Sequence, residues 1–560
     1  MTSNEHSPPA AAPAALPRPA STLVLLRDGA QGVEVLLLRR AERAGDRSSG
    51  AWVFPGGTLD AADRGWSAAE AGLDDAAASA RLGVESGGLA YCVAAIRECL
   101  EECGVLLAAP VAGAGAVPAG TVAALQAALR RGEADLRTLC RQSGLRLDAP
   151  GLAYHSHWLT PPGLPRRFDT RFFVAAMPPG QQAAPDGAEM LEHVWLRPAD
   201  ALERADAMRL PNPTRRTLEA IAGFVSVETG LAQVRALREI RLTMPRMADG
   251  PRGPRPVHPD EPCYAEIARI DPQGRGHARY ALEPGRVVRL SQRVWRVTAP
   301  NGSAMTGPGT NTYLLAAGPG QDCAVIDPGP ADEAHVEAIL AAAPGPVRRI
   351  FVTHTHRDHS PAAQSLKART GAELLGMAAL HEEWQDLGFV PERPLRHGDR
   401  VPLGEGATLR VLHTPGHAAN HLCYLLEEER TLFTGDHVMQ GSTVVISPPD
   451  GDMGAYLASL EALLGEALDW LAPGHGFLIA EPERALRRLI RHRRTREAKV
   501  LRVLEELGGG ALDALLPRVY DDVPPALHPV ARRSLAAHLL WLEAQGRALQ
   551  RGPDWFAARG

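Results

Sequence analysis

Apolar residues along this chain fall into short runs separated by turns and helical stretches. In the first part of the chain, such runs alternate with segments of helical period. Three of these runs are Thr22–Leu26, Val33–Leu38 and Phe172–Ala176. From about residue 286 to 480, strand-like runs end repeatedly in turns that carry His or Asp. The pattern predicts several α/β domains in series.

Composition divides the chain further. Proline and glycine are dense at 241–262, which is typical of a linker, and residues 484–560 follow a mostly helical period with a closing strand at Arg547–Gln550. We therefore predict five segments, which are a disordered tail at 1–20, a first domain at 21–240, a linker and transitional segment at 241–285, a second domain at 286–483 and a helical module at 484–560.

Length, charge and cysteine usage narrow the classes of function. The 560 residues suffice for two to four domains, and the formal net charge of −5 gives no global attraction to nucleic acid or membranes. No stretch approaches the roughly 20 apolar residues that span a bilayer. The seven cysteines form no CxxC pair, and the Pro/Ala-rich start lacks the features of a signal peptide. We expect a cytoplasmic protein without a disulfide framework.

The strongest chemical signal follows the apolar run Arg349–Val352. The next residues, Thr353–His359, carry three imidazoles and one carboxylate within six positions. Buried polar groups are costly unless they are paired, and imidazole is the commonest ligand of transition metals. His354 and His356 alternate, so they can point to one side of an extended segment, and the turn presents Asp358 and His359. This pattern predicts a metal site.

Three later turns repeat this design. Each has a glycine that lets the backbone turn tightly after an apolar run and places a ligand at the strand end. The ligands that these turns present are His417, Asp436 and His475. Together with the first cluster, they provide seven ligands from four strand ends, which suffices for two metal ions.

At these residues the sequence resembles the metallo-β-lactamase superfamily, over roughly residues 286–480. The resemblance implies an αββα sandwich of two sheets. It also implies that one metal is held by three imidazoles and the other by Asp358, His359 and His475, with Asp436 bridging both. The three imidazoles of the first metal would be His354, His356 and His417.

Two neighbouring cations can share a water and lower its pKa toward neutrality, so the ligand set indicates hydrolysis. Asp358 can also orient this water as a catalytic group. Imidazole and carboxylate ligands without thiolate favour two Zn²⁺ ions, with Mn²⁺ or Fe²⁺ as alternatives.

Three further features suggest a substrate. The chain has Gly309–Leu314 before the site, His492–Glu497 after it and a closing helical module that resembles a winged helix. Together they are similar to the β-lactamase-like protein 2 group, whose family activity is cleavage of single-stranded RNA. Seven arginines between Arg484 and Arg496 suit phosphate binding, and among them we single out Arg491, Arg493 and Arg496. A solvated helix is an equal interpretation, and a thioesterase of the glyoxalase II type uses the same ligands.

The first domain carries a second candidate site. Trp52–Gly57 together with Arg97–Val105 resembles a Nudix box, although thirty-nine residues separate Gly57 from Arg97, far more than in the usual box. The branch that includes the peroxisomal acyl-CoA diphosphatase has an insertion at this place. The resemblance covers about residues 20–225 and implies an α/β/α sandwich.

Three glutamates form the core of this second site. Glu98, Glu101 and Glu102 stand at i, i+3 and i+4, on one face of a helix that begins near Leu89. Three carboxylates on one face favour a hard cation, so we expect Mg²⁺ or Mn²⁺, with Glu98 and Glu102 as catalytic residues. Arg97 is expected to pair with a neighbouring carboxylate, and Asp63 falls where the usual box has its first glutamate.

The upstream pattern associated with CoA is partial and includes Arg39 and Arg40 as candidate substrate contacts. Glu189 or Glu192 is a further candidate ligand or base.

The sequence thus predicts a multidomain α/β hydrolase, with a Nudix unit, a metallo-β-lactamase unit and a winged-helix-like module. The Nudix substrate would be a small diphosphate or CoA-type molecule, and the second site would cleave single-stranded RNA or a thioester, with no membrane partner. Two alternatives stay open: the halves form one CoA-turnover protein, or one half is a non-catalytic binding module.

Overall fold

Two stretches of the chain form separate folding units, Met1–Pro245 and Arg246–Gly560. The computed structural model describes residues 15–42, 49–111 and 115–558. Most of the predicted tail, residues 1–14, lies outside this described part. The first strand already begins at Arg18, so the prediction of disorder up to residue 20 is wrong at its end.

The described residues of the first unit form ten strands and eight α-helices. The strands are β1 (Arg18–Gly29), β2 (Gly32–Arg40), β3 (Trp52–Val53), β4 (Gly56–Thr58), β5 (Ala108–Pro110), β6 (Leu145–Leu147), β7 (Ala153–Leu159), β8 (Phe168–Ala176), β9 (Met190–Leu196) and β10 (Leu242–Thr243). The helices are α1 (Ala68–Ala71), α2 (Asp75–Leu82), α3 (Gly88–Cys103), α4 (Ala119–Arg130), α5 (Leu136–Gln142), α6 (Pro198–Glu203), α7 (Asn212–Ile221) and α8 (Val227–Arg235).

A mixed sheet forms the middle layer of this unit. Its strands follow the order β10-β7-β8-β1-β2-β3, with β4 paired to β1 and β9 paired to β2. Side chains alternate along each strand, so β1 sends Leu23 and Leu25 to one face and Val24 and Leu26 to the other. Helix α3 covers the first face and helices α7 and α8 cover the second. The result is the predicted α/β/α sandwich.

The second unit contains the remaining elements. Its strands are β11 (Arg246–Ala248), β12 (Arg255–Val257), β13 (Val287–Arg289), β14 (Val294–Thr298), β15 (Asn311–Ala316), β16 (Cys323–Ile326), β17 (Val347–Phe351), β18 (Glu373–Gly376), β19 (Arg393–Pro394), β20 (Arg400–Gly404), β21 (Ala407–His413), β22 (Leu422–Leu426), β23 (Thr431–Gly435), β24 (Trp470–Pro473), β25 (Ile479–Ala480), β26 (Gly510–Ala511), β27 (Ala548–Arg551) and β28 (Asp554–Ala557). Its helices are α9 (Tyr264–Ile270), α10 (Glu333–Ala342), α11 (Ala362–Thr370), α12 (Met453–Leu463), α13 (Pro482–Leu507), α14 (Leu512–Val519) and α15 (His528–Ala544).

Two sheets, β13 to β19 and β20 to β25, each follow chain order and pack face to face. Ring contacts join them: Tyr313 meets Phe433 edge-on at 4.9 Å between ring centroids, and Phe351 meets Tyr424 at 5.3 Å. Helices α10 and α11 cover the outer face of the first sheet, while α12 and α13 cover the second. The four layers are the predicted αββα sandwich.

The closing module contains the C-terminal half of α13, helices α14 and α15, and a small sheet of order β26-β28-β27. The predicted closing strand at Arg547–Gln550 is present as β27, one residue later. Its hairpin partner β28 completes a wing.

The predicted linker at 241–262 is wrong for most of its length, and it folds together with the transitional segment that follows it up to residue 285. Strands β11 and β12 pair, helix α9 follows, and five buried residues form a small core of their own (Ala248, Val257, Cys263, Ile267 and Ala278). Glu266 on α9 forms a buried two-pronged ion pair with Arg296, at 2.7 and 2.8 Å. Within the described residues, no helix is long and apolar enough to cross a membrane.

Candidate metal centre

The first group of ligands follows β17 directly. His354 Nε2 and His417 Nε2 each lie 3.0 Å from His356 Nδ1. Depending on the tautomer, His356 Nδ1 has either one lone pair or one proton. It therefore cannot form a full hydrogen bond with both of these ring nitrogens. The three ring nitrogens converge on a common point, as ligands around a cation do.

The second group contains Asp358, His359, Asp436 and His475. His475 Nε2 lies 3.4 Å from Asp358 Oδ2 and 3.2 Å from Asp436 Oδ1, and His359 Nε2 lies 3.4 Å from Asp436 Oδ1. The other oxygen of Asp436, Oδ2, lies 3.7 Å from His417 Nε2. Asp436 therefore faces both groups, which is the position of a bridging carboxylate.

Buried atoms without partners test whether a cation fits here. His359 Nε2, His475 Nε2 and Asp436 Oδ1 are buried and have no hydrogen-bond partner. A buried polar atom without a partner costs about 1–3 kcal/mol, so three together indicate that a metal completes them. The donor set of imidazoles and carboxylates suits Zn²⁺, Mn²⁺ or Fe²⁺.

Outer hydrogen bonds fix the protonation of three ligands. The Nδ1 atom of His359 donates to Asp327 Oδ2 at 2.9 Å, that of His417 to the Val445 carbonyl at 2.8 Å, and that of His475 to the Gly309 carbonyl at 3.1 Å. Because these oxygens can only accept, each ring carries a proton on Nδ1 and directs Nε2 toward the position of a metal.

The electrostatics of this pocket favour a positive charge at its centre. Burial disfavours the imidazolium form, but the carboxylates of Asp436 and Asp358 raise the pKa of His475 to about 9. Against the same burial penalty, His359 and His475 lower the pKa of Asp358 to about 2. The carboxylates therefore stay ionised and present negative charge to whatever cation the site holds.

Gly474 is required by the close approach of the ligands. A Cβ atom at this position would lie 2.7 Å from Asp436 Oδ1 and 2.8 Å from His359 Cε1. Any side chain here would displace two ligands.

Asp327, which sequence reasoning missed, supports the ligand strand. Its carboxylate accepts from the Thr353 N–H and from the Thr353 hydroxyl, both at 2.7 Å, besides orienting His359. The signal was available, because Asp327 ends an apolar strand as the ligands do. Asp450, 3.6 Å from His356 Nε2, was also missed.

Asp327→Asn is expected to lower metal affinity by about 10- to 100-fold. The reason is that Asp327 orients the imidazole of His359 from outside the ligand group. Competition with a chromophoric chelator measures this affinity. Asp399→Asn, which changes a carboxylate that accepts only from the Arg396 N–H in a turn, is the control. Equal metal affinity of Asp327→Asn and the wild type would contradict the assigned role.

The second candidate site lies on α3, in the first unit. Arg97 forms a two-pronged ion pair with buried Asp63, at 2.8 and 2.9 Å, and also reaches Glu98 at 3.0 Å and Glu101 at 3.1 Å. This agrees with the expected pairing of Arg97 to a neighbouring carboxylate. Glu102 accepts from the Gly56 N–H at 2.9 Å.

The three glutamates share a helix face but do not converge as tightly as the groups above. Glu98 lies over β4, where a Cβ on Gly57 would be 2.5 Å from its carboxyl carbon. Burial raises the pKa of Glu98 to about 7 and that of Glu102 well above its usual value. Burying carboxyl groups costs free energy when they are ionised, and carboxylates buried together in this way are typical of a cation site.

Three family models match the chain in order. The NUDT19 Nudix domain model matches residues 76–210, the metallo-beta-lactamase superfamily model matches 305–475, and the beta-lactamase associated winged helix domain model matches 511–555. A beta-lactamase-like protein 2 homolog of Drosophila melanogaster is 34% identical over 280 residues, which are 48% of this chain and 93% of that protein. The chain belongs to the β-lactamase-like protein 2 group of the metallo-β-lactamase superfamily.

Other similar proteins match the metallo-β-lactamase half. An atrochrysone carboxyl ACP thioesterase of Aspergillus chevalieri is 34% identical over 224 residues, which are 39% of this chain and 68% of that protein. A solved beta-lactamase domain protein from Burkholderia ambifaria is 24% identical, with a TM-score of 0.44, and the match covers 50% of this chain and 95% of that one.

The Nudix and metallo-β-lactamase domains both belong to hydrolase families, so this member of the superfamily is a metal-dependent hydrolase with a fused Nudix domain and a winged helix. Both families generally bind divalent metals. The fold class and the order of modules agree with the sequence prediction.

The predicted arginine contacts are wrong in two cases. Arg493 is 3% exposed, lies over the Tyr456 ring and donates to the Val444 carbonyl. Arg496 is 7% exposed and pairs with Asp522 at 2.7 and 2.8 Å. Both stabilise the packing of α13 and are buried away from any polyanion. Arg491 is exposed, as a surface contact requires.

The Nudix arginines have local partners as well. Arg39 pairs with Glu192 at 2.7 Å and with Glu42 at 3.3 Å. Arg40, beside it at the end of β2, contributes to the positive potential near Glu102.

Proposed function

We propose that the metal centre of the second unit hydrolyses thioesters and that the Nudix unit cleaves the diphosphate bridge of a CoA-type compound. The observation that carries the first part is a cavity of about 520 Å³ whose lining includes Arg357, the residue between the candidate ligands His356 and Asp358. Among the described residues its lining comprises three apolar side chains, two carboxylates, one amide and one cation, Arg357; the others are Ala331, Pro361, Leu387, Glu382, Asp386 and Gln385. Such a lining suits an uncharged acyl group better than a phosphodiester chain.

The arginines of α13 support this choice. With Arg493 and Arg496 buried, three of the exposed arginines pair with glutamates: Arg484 with Glu481, Arg487 with Glu483 and Arg494 with Glu461. Paired charges release few counterions when they meet a polyanion, so this helix face offers little affinity for RNA. The thioesterase activity in the name of the Aspergillus chevalieri relative agrees with the proposal.

The candidate ligands form two groups, one for each metal ion. His354, His356 and His417 would hold one ion, Asp358, His359 and His475 the other, and Asp436 would bridge them. When bound, two such ions supply an activated water and polarise the carbonyl group. Asp358, ionised and 28% exposed, faces the open side of the site and would orient that water.

In the Nudix unit, Glu98, Glu101 and Glu102 would hold Mg²⁺ or Mn²⁺ against the diphosphate. Arg97 and Asp63 position helix α3. An acyl-CoA would then carry both bonds that this chain hydrolyses, the thioester at one end and the diphosphate near the other.

Cleavage of single-stranded RNA is the second candidate. Arg488 and Arg491 are exposed on α13 and have no ion-pair partner among the described residues, so a small phosphate-binding patch remains.

A substrate panel tests the two candidates. Decanoyl-CoA, S-lactoylglutathione, ADP-ribose and a single-stranded RNA are incubated with the wild type, His356→Ala and Glu102→Gln. We expect thioester cleavage that requires His356 but not Glu102, diphosphate cleavage with the reverse dependence, and intact RNA. RNA cleavage that depends on His356, with thioesters left intact, would overturn the proposal. Diphosphate cleavage unchanged in Glu102→Gln would make the Nudix site non-catalytic.

A further inference from the structure

The 377–392 loop, between β18 and β19, is attached to the strand that carries the metal ligands. The Thr355 hydroxyl donates to Gln385 Oε1, and Gln385 Nε2 donates to Asp450 Oδ2 at 2.5 Å. The Asp386 N–H donates to the Thr355 carbonyl at 2.6 Å. Thr355 lies between two proposed ligands, His354 and His356. The loop therefore has a fixed position relative to the metal centre.

This fixed loop exposes large apolar side chains. Leu380 is 62% exposed, Trp384 52%, Leu387 58% and Val390 65%. Single exposed apolar residues are common, but four within eleven residues beside a cavity mark a binding surface. Leu387 also lines the cavity that includes Arg357.

Trp384 is held in a strained backbone conformation. Its φ is 67°, a left-handed value that costs a bulky residue of the order of 1–3 kcal/mol. Contacts of the neighbouring Gln385 hold this part of the loop, and about half of the indole stays exposed. Strain that is retained next to residues that line a cavity is typical of a residue placed for a ligand.

The winged helix completes this surface. The guanidinium of Arg533, on α15, lies 4.8 Å from the centroid of the Trp384 ring. Arg533 forms no ion pair among the described residues, so the indole face is the contact that holds it. The winged helix thus contacts the indole of Trp384, a residue that stands between Glu382 and Gln385 of the cavity lining.

We propose that Leu380, Trp384 and Leu387 form the acyl-binding wall of the metal centre, for a thioester with a long apolar acyl group. This proposal rests on the proposed thioesterase function and names its substrate class. Exposed apolar side chains on a loop that is attached to the ligand strand at Thr355 would match an acyl chain whose carbonyl is held at the metals. Glu382, Glu383 and Asp386 lie in the same loop and would repel a phosphodiester chain.

The test uses N-acetylcysteamine thioesters with acetyl, hexanoyl and decanoyl groups, which carry no CoA. In the wild type, kcat/KM is expected to rise with chain length. Trp384→Ala and Leu387→Ser should each lower it about tenfold for decanoyl and much less for acetyl, because the longer acyl chain makes more of the lost apolar contacts. Trp384→Phe should restore most of the preference. Leu507→Ala, an exposed leucine at the end of α13, is the matched control.

A second readout is independent of catalysis. S-decyl-N-acetylcysteamine is a thioether that cannot be hydrolysed, and its binding by calorimetry should weaken about tenfold in Trp384→Ala. Equal losses for acetyl and decanoyl substrates, or no loss, would overturn the acyl wall. So would weaker RNA binding with unchanged thioester kinetics, or a change of oligomeric state, which would make the surface an interface between copies.

The two proposals fail in different ways. If the wild type cleaves none of the thioesters, the thioesterase function itself is lost. If it cleaves all three equally well and in a His356-dependent manner, the function stands and the acyl wall alone is wrong.

Discussion

Replacing His356 with alanine is expected to lower thioester hydrolysis by about three orders of magnitude. His356 Nδ1 lies 3.0 Å from His354 Nε2 and from His417 Nε2, so the alanine variant keeps only two of the three imidazoles at this proposed metal position. Charge stabilisation by a metal contributes several kcal/mol to a hydrolytic transition state, and each 1.4 kcal/mol is worth about a factor of ten. Initial rates at saturating and limiting substrate measure the effect.

The matched control for this variant is His397→Ala, which removes an exposed imidazole from a loop of the same unit. It should keep the full rate. Thermal unfolding must show that both variants are folded. A folded His356→Ala protein with more than a tenth of the wild-type rate would contradict the role of His356.

Replacing Glu266 with glutamine should destabilise the second unit by about 3–5 kcal/mol. Glu266 is 2% and Arg296 1% exposed, so the variant leaves a buried guanidinium without its counter-charge. The glutamine can still accept from the Leu478 N–H, which now bonds to Glu266 at 2.9 Å. Chemical denaturation followed by near-UV circular dichroism measures the loss.

Two further variants separate charge from packing. Glu483→Gln breaks an exposed i,i+4 pair with Arg487 and should change stability by less than about 0.5 kcal/mol. Glu266→Met combined with Arg296→Leu should recover most of the stability, because apolar residues can replace a buried ion pair. Equal stability of Glu266→Gln and the wild type would show that the pair contributes nothing.

The clustering of the candidate metal ligands was predictable because local sequence places each of them. An apolar strand followed by a tight turn determines where a ligand lies, and β17, β21, β23 and β24 all precede such turns. The glutamates of α3 were predictable from helical spacing alone. Asp450 and Gln385 were not, because their contacts to the ligand strand depend on how distant loops fold back.

The buried arginines show where the interpretation of α13 failed. Its apolar face runs through Leu489, Val500 and Val503, and Arg493 and Arg496 fall on that same face. Helical spacing therefore places them toward the interior, whereas the count of arginines suggested a surface. Their carbonyl and carboxylate partners come from residues 444, 519 and 522, which the sequence does not connect to α13.

The linker prediction failed for a related reason. Proline and glycine content predicts turns, but it does not show whether the turns are fixed by packing. In residues 246–280, sparse apolar residues such as Val257 and Ile267 form a core, and Glu266 anchors the segment to β14 through Arg296. The small core and the buried ion pair together make this segment part of the fold, although its composition is typical of a linker.

Elemental analysis of the folded 560-residue chain tests the central claim most directly. After gel filtration in chelator-free buffer, we expect two transition-metal ions per chain, and fewer in Asp436→Ala, which removes the carboxylate between the two groups. A folded wild-type protein that contains no such metal, and takes up none when Zn²⁺, Mn²⁺ or Fe²⁺ is titrated, would contradict the account.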